Sequence, residues 1–428
     1  MPWVSILLLV LAPVALGAAI HFARQRRVVQ DTPTVPVAGA FVGLVELKGT
    51  AESGAPLASH LAGAACVAYR WTVEEHWSRT VTRTVTDAKG NVRTETRHES
   101  GWTTVASGEE RAPFWLRDAT GDLLVRPEGA KLEMAKAFAQ ECTPSHPLYF
   151  GKCAAAEVAN SDRRRRFTEE VLPLGAALFV IGHAREREDA VAAEVAESKD
   201  APIFTISVRT EEEVVRSLRG SGLGLGLAAV ACAAGGAALL PLGGEAWVQA
   251  AVGAGAALAL WLLAGAVMVF NSLVNLRQRA RQAWANMDVQ LKRRADLIPS
   301  LVAAVEGYRA HEAAAQSAVA AMRGQLGATP PGAPGPDPAG CAPALMAVAE
   351  KYPELKADAG FLKLQKELAD TETRIAMARE YFNAMATFYN SRIETVPDGW
   401  LGRLAGMRRA ALFSGEGFAQ PPRVSFAG

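Results

Sequence analysis

The sequence predicts a multidomain membrane protein, in which an α+β (β-rich) soluble domain and an all-α antiparallel bundle of long helices are joined by three transmembrane helices. Three observations carry this reading. Apolar residues make up 50% of the 428-residue chain, and they gather in uncharged runs at 3–20, 223–240 and 247–270, long enough to cross the hydrocarbon core of a bilayer. Residues 37–221 are short apolar runs punctuated by turn signals, the texture of a β-rich domain. Beyond the third run, apolar residues recur in steps of three and four, which places them along one seam of a helix.

The first run has no positive charge before it, and Arg24, Arg26 and Arg27 follow it. A cleaved signal peptide carries its charge in front, so a retained anchor with its N-terminus outside is expected. Arg216 and Arg219 precede the second run, and Arg277, Arg279 and Arg281 follow the third. The six residues 241–246 between those runs make a hairpin turn. All three basic flanks agree on one topology, with both soluble domains on the cytoplasmic side. No Asp, Glu, Lys, Arg or His interrupts the spans, which disfavours a transporter or pump. Gly222 and Gly226 are spaced for close helix contact, compatible with a homo-oligomer. The net charge of +1 supplies no basic field for nucleic acid. Five cysteines, Cys66, Cys142, Cys153, Cys232 and Cys341, are far apart and form no C-x-x-C pair, so reduced thiols are expected.

Within 37–221, strands are expected at 43–49, 66–75 and 203–210, with a hairpin turn at 88–91 and a tight reversal at Asp118-Ala119-Thr120-Gly121. A strand, a glycine turn and a second strand are expected across 169–186, and a helix over 131–139. Arg163, Arg164, Arg165 and Arg166 read as a solvated loop. In a domain held at a membrane, contact with anionic headgroups is the second reading of this run. The stretches VELKGTAESGAPLASHLAGAACVAYRWTVEE, FWLRDATGDLLVRPEGA and EEVLPLGAALFVIGHA resemble the GIDE, or beside-a-membrane, domain. In eukaryotes that domain sits between two spans of a RING-type ubiquitin ligase. The ligase activity is not carried over, because a RING needs closely spaced zinc-binding Cys and His pairs and this chain has none.

The region 271–428 is read as a helical bundle. Its opening seam is Leu273, Leu276, Ala280, Trp284, Met287, Leu291, Ala295, Ile298, Val302 and Val305, with Arg277, Arg279, Arg281, Lys292 and Arg293 opposite. Pro299 would clash with the carbonyl of Ala295, so a kink or break capped by Asp296 is expected there. A Pro/Gly linker occupies 327–340. A last long helix, 358–395, has the seam Phe361, Leu364, Leu368, Ile375, Ala378, Phe382, Met385 and Tyr389. The two seams are expected to pack antiparallel, with Trp284 and Phe382 as core anchors. Residues 400–409 mix apolar and basic side chains at helical spacing and either lie on the membrane interface or fold back on the bundle, the choice favoured by Phe413 and Phe418. The runs FNSLVNLRQRARQAWANMDVQLKRRADLIPSLVAAVEGYRAHE, FLKLQKELADTETRIAMAREYFNAMATFYNSRIETVP and ALFSGEGFAQPPRVSF resemble the LemA family of bacterial membrane proteins. That resemblance implies a cytoplasmic α-helical bundle on an anchor in the bacterial inner membrane. It implies no reaction.

Catalytic patterns are scarce. His146 lies between Cys142 and Cys153, at a spacing that fits no common zinc pattern. There is no H-E-x-x-H and no G-x-S-x-G. Asp288, Asp296, Asp370 and Glu372 stand on helical stripes beside Lys292, Arg293 and Arg374. Paired carboxylates serve acid–base chemistry, but ion pairs between helices are the plainer reading, and these residues form a candidate polar patch. No catalytic residue, metal ligand or cofactor is assigned. The function expected is a non-enzymatic scaffold or adaptor, integral to membrane lipid, that binds an unidentified protein partner. The alternatives are an enzyme or accessory in membrane-protein modification or turnover, and a lipid or envelope-stress sensor.

Overall fold

The computed structural model describes residues 2–86, 92–152, 158–187, 193–199, 201–240, 245–307 and 359–413. The chain divides into two compact units, one formed by Leu47–Glu211 and the other by Met1–Glu46 with Glu212–Gly428.

The strands, in chain order, begin with β1 (Thr34–Val35), β2 (Gly43–Glu52), β3 (Leu57–Ala58), β4 (Ala65–Thr86) and β5 (Val92–Arg111). They continue with β6 (Phe114–Arg117), β7 (Asp122–Val125), β8 (Lys131–Glu133) and β9 (Ala135–Cys142). The last are β10 (Ser161–Pro173), β11 (Ala177–Glu186), β12 (Ala193–Ala196) and β13 (Thr205–Ser207). The helices are α1 (Pro2–Gln30), α2 (Leu148–Gly151), α3 (Glu211–Ala238), α4 (Ala246–Gly307), α5 (Ala359–Glu394) and α6 (Asp398–Leu404).

Two sheets build the β-rich unit. In the first, β2, β6, β7, β12 and β11 follow one another, and a further β2–β11 pairing closes them into a ring. Closure removes free sheet edges. Leu47, Phe114, Leu116, Val125, Val180 and Val195 are fully buried in this unit. In the second sheet, β4 is flanked by β10 and β5, and β9 pairs with β10. Val73, Cys142, Tyr149 and Phe167 form its core cluster. The reversal at 118–121 links β6 and β7 as expected, and the Asp118 carboxylate accepts from the backbone N–H of Thr120 at 2.6 Å. Gly175, at φ +73°, makes the turn from β10 to β11, a conformation that glycine adopts without strain.

The helix expected over 131–139 is not there. Lys131–Glu133 pairs with β13 in parallel, and 135–142 pairs antiparallel with β10. Lys, Leu, Glu, Met and Ala favour helix locally, but two ladders of backbone hydrogen bonds outweigh that preference. The arginine run is also no loop: Arg163 to Arg166 open β10. The turn at 88–91 lies outside the described residues. Its flanks pair antiparallel out to Thr86 opposite Val92.

In the other unit, α1, α3 and α4 are long and apolar enough to cross a membrane by length and composition. The buried face of α3 is Val214, Leu218, Gly222, Gly226, Ala229, Ala233 and Gly236, a stripe stepped by three and four that narrows to small residues. Close approach follows from this composition. Ala12, Ala233 and Ala257, from three different helices, form one cluster, and the Ser5 hydroxyl donates to the Leu239 carbonyl at 3.0 Å. Gly222 faces Ala19 and Phe22 of α1, whereas a Cβ at Gly226 would collide with the indole of Trp261 on α4. The glycine pair thus serves contacts within the chain. Gly226→Val is expected to destabilise the full-length chain in detergent by about 1–3 kcal/mol through overpacking. Gly224→Val, where nothing lies within 4 Å, is the neutral control in the same thermal melt.

Helix α4 is continuous through Pro299 to Gly307, so the break expected at 296–299 is absent. The ring removes one backbone donor, and the rest of the hydrogen-bond ladder carries the helix across. The linker at 327–340, Cys341 and Phe418 lie outside the described residues, as do the side chains of Ala295, Ile298, Pro299, Val302, Val305 and Phe361.

Candidate functional site

Helices α4 and α5 pack antiparallel along their seams. Trp284 meets Phe382 edge to face, with ring centroids 5.2 Å apart. Met287 and Leu291 pack on Ile375 and Ala378. Further along, Arg294 pairs with Glu372 across the helices at 3.6 Å. At the other end of the pairing, Tyr389 of α5 lies within the electrostatic reach of Arg277 and Arg281 of α4.

A third wall comes from the chain after α6. Gly406, at φ +62°, reverses the path, and the segment then runs back along α5. Two asparagines one heptad apart hold it there. Asn390 exchanges two hydrogen bonds with the backbone of Ala410, at 2.9 and 2.8 Å. Asn383 does the same with Phe413, at 2.8 and 2.8 Å. Phe413 reaches the Trp284 ring at 6.2 Å between centroids. The tail therefore folds back on the helices, while Trp400 and Leu404 of α6 remain exposed. Asn390→Ala leaves the Ala410 donor and acceptor unmatched, at about 1–2 kcal/mol. Tryptic cleavage after Arg408 in the native full-length chain is then expected to speed up roughly tenfold, in step with segment opening.

These three walls flank an open pocket of about 580 Å³, lined by Arg277, Ala280, Arg281, Trp284, Phe382, Tyr389, Gly406, Met407, Arg408 and Ala410. The Tyr389 side chain is 2% exposed, and its hydroxyl has no hydrogen-bond partner among the described residues. Burial pushes the Tyr389 phenol above its ordinary pKa, against the opposing pull of Arg277 and Arg281. The phenol is therefore a neutral donor at physiological pH. A larger open depression of about 720 Å³ lies on α5, where Arg379 and Glu380 stand together. Its charge is balanced.

Beside the pocket, at the C-terminal end of α1, a charge network ties four elements together. Asp31 accepts from Ser272 of α4 at 2.7 Å and pairs with Arg392 of α5 at 3.1 Å. Arg392 also reaches Asp398 of α6 at 3.2 Å, and Asp398 pairs with Arg27 of α1 at 3.1 Å. Arg279 donates to the carbonyl of Asp31 and the hydroxyl of Thr32, both at 3.0 Å. Asp31 and Asp398 are 5% and 2% exposed. Arg27 and Arg279, which read in the sequence as membrane flanks, are in fact structural ties.

The candidate polar patch is not one cluster. Asp288 pairs with Lys292 of its own helix at 2.9 Å, and Glu372 takes Arg294, a residue the sequence reading did not single out. Arg293, Asp296, Asp370 and Arg374 are exposed. Of the four clustered arginines, Arg165 is 2% exposed, out of reach of any headgroup. It donates to Glu75 at 2.8 Å and to the Tyr149 carbonyl at 2.9 Å, and its guanidinium sits over the Tyr149 ring. Arg164 and Arg166 both pair with Glu141, whose pKa they hold below the ordinary carboxylate range. Arg163 is exposed at φ +54°. His146 accepts from the Leu148 backbone N–H at 3.2 Å. Among the described residues, no three His, Cys, Asp or Glu side chains come together as a metal site.

The sequence reading missed the pocket because its parts come from three distant segments. Asn383 and Asn390, seven apart and flanking the α5 seam, were the legible signal.

Comparison with known proteins finds two family matches along the chain. Residues 283–426 match the LemA family model, and residues 82–240 match the GIDE model, described as E3 ubiquitin ligase. The second match starts inside β4 and takes in all of α3. A stretch of 69 residues, 16% of the chain, is 38% identical to magnetosome protein MamQ of Magnetospirillum gryphiswaldense and covers 25% of that protein. A stretch of 81 residues, 19% of the chain, is 33% identical to magnetosome protein MamQ 2 of Paramagnetospirillum magneticum and covers 30% of it. The chain thus spans under a third of the curated relatives it matches. Residues 283–426 are a LemA-family segment and residues 82–240 a GIDE domain, carried by one membrane-associated chain.

Proposed function

We infer that this protein is a membrane-anchored, non-enzymatic scaffold or adaptor, multi-pass in the bacterial inner membrane, with both folded modules on the cytoplasmic side. One observation carries the reading. Helix α4 runs unbroken for 62 residues, from the third apolar segment into the pairing with α5. A continuous helix transmits position without a hinge, so whatever docks on the hairpin is held at a fixed height above the anchor. The arginine flanks support the orientation. The relatives are named as magnetosome proteins, and what the match shares with them is confined to a short stretch. The adaptor reading therefore rests on the hairpin and not on their assembly.

Val289 and Leu362 are large apolar side chains left exposed on the two helices. A photo-crosslinking residue at either position in living cells is expected to give one discrete protein adduct, the same from both. Absence of any protein adduct at both positions would remove the adaptor role.

The GIDE match favours a second reading, an accessory in membrane-protein turnover. It predicts that deletion of the gene lengthens the lifetime of particular membrane proteins in a pulse-chase measurement; unchanged lifetimes would dismiss it.

A further inference from the structure

We propose that the pocket formed by α4, α5 and the segment 406–413 binds the phosphate of an anionic phospholipid headgroup. Arg277, Arg281 and Arg408 line it, and among the described residues none of the three has an ion-pair partner. That sets them apart from their neighbours. Arg27 and Arg392 are paired with buried carboxylates, and Arg409 is paired with Glu394. Three uncompensated guanidiniums around one cavity repel one another unless an anion joins them.

Arg277 and Arg281 are four residues apart on α4, so they occupy the same helix face. Guanidinium forks match phosphate oxygens in charge and geometry. The Nε of Arg277 is buried without an acceptor, and so is the Tyr389 hydroxyl beneath. An orphaned buried donor is unfavourable until an acceptor reaches it. Trp284, Phe382 and Met407 add apolar wall, which suits the glycerol end of a lipid better than a bare inorganic ion.

Position along α4 names the source of the phosphate. The third apolar run ends at Phe270. At a rise of about 1.5 Å per residue, Arg277 stands about 10 Å beyond it. The headgroup layer extends roughly 5–8 Å past the hydrocarbon, so the backbone of Arg277 stands just outside it and that of Arg281 one turn further out, and the long arginine side chains reach back toward the phosphates. The inference rests on the membrane seating of α4 and is independent of the adaptor role.

The test uses the full chain purified in a neutral detergent. It is titrated separately with short-chain phosphatidylglycerol, short-chain phosphatidylcholine and inorganic phosphate, and followed by thermal shift and native mass spectrometry. Phosphatidylglycerol is expected to raise the melting temperature saturably and to be retained as one bound lipid; the other two are expected to do neither. Arg277→Gln and Arg281→Gln are each expected to weaken it roughly fivefold, the equivalent of ~1 kcal/mol per basic residue. Arg163→Gln is expected to change nothing. If those two variants fail to fold, Arg408→Gln at the exposed rim and Tyr389→Phe read out the same site. Three results would overturn the proposal: no shift with phosphatidylglycerol, an equal shift with inorganic phosphate, or equal weakening by Arg163→Gln. Loss of the Val289 and Leu362 adducts with lipid binding intact would strike the adaptor role alone.

Discussion

Arg165→Met is expected to loosen the β-rich unit by about 3 kcal/mol, because it strips the partner from a buried carboxylate. Glu75 is 4% exposed. It takes Arg165 at 2.8 Å and also accepts from Ser161 and Tyr149. With the guanidinium gone, an ionised Glu75 has two neutral donors in a site closed to water. The readout is the rate at which Cys142 is alkylated in the native full-length chain, since Cys142 packs in the same cluster as Tyr149 and is reached only on opening. A loss of that size means labelling roughly a hundredfold faster. Arg163→Gln, two residues away and exposed, is expected to leave the rate within twofold, as surface changes do. Joint replacement, Glu75→Leu with Arg165→Met, is expected to recover much of the loss, because it also removes the stranded charge. Labelling of Arg165→Met at the parent rate would show that the pair does not hold the sheet.

Asp398→Ala is expected to have an effect of similar size, about 3 kcal/mol, in the other unit. Asp398 is the point where Arg27 of α1 and Arg392 of α5 converge. Its removal leaves two cations facing each other around Asp31 alone. The melting temperature of the full-length chain in detergent should fall by several degrees. A double-mutant cycle with Arg27→Gln should give a coupling of at least about 1 kcal/mol. Strictly additive single effects would mean that the contact between α1 and α6 contributes no energy.

These two expectations show where local reading stops. The arginine run at 163–166 looks like a solvated loop in one dimension, because four like charges in a row repel and attract water. Strand alternation decides otherwise: successive side chains of β10 point to opposite faces, so Arg165 turns inward while Arg164 and Arg166 stay out with Glu141. No local pattern states that Glu75, ninety residues earlier, waits opposite. The 131–139 segment teaches the same point for backbone. Its residues prefer helix, and the strands β10 and β13 that recruit it are distant in sequence.

The sequence by itself determined the three apolar helices, the strand-and-turn texture between the first two, and the heptad-like seams of α4 and α5. Those features repeat with a period that one segment carries alone, and burial of that face follows from the hydrophobic effect. Only the tertiary structure decided which arginines are free. Arg27, Arg279 and Arg392 are consumed by Asp31, Asp398 and Thr32, whereas Arg277, Arg281 and Arg408 line one pocket with no ion-pair partner among the described residues. Charge is written in the sequence, but its compensation depends on which carboxylate folding brings within about 4 Å, and that is a property of distant segments meeting.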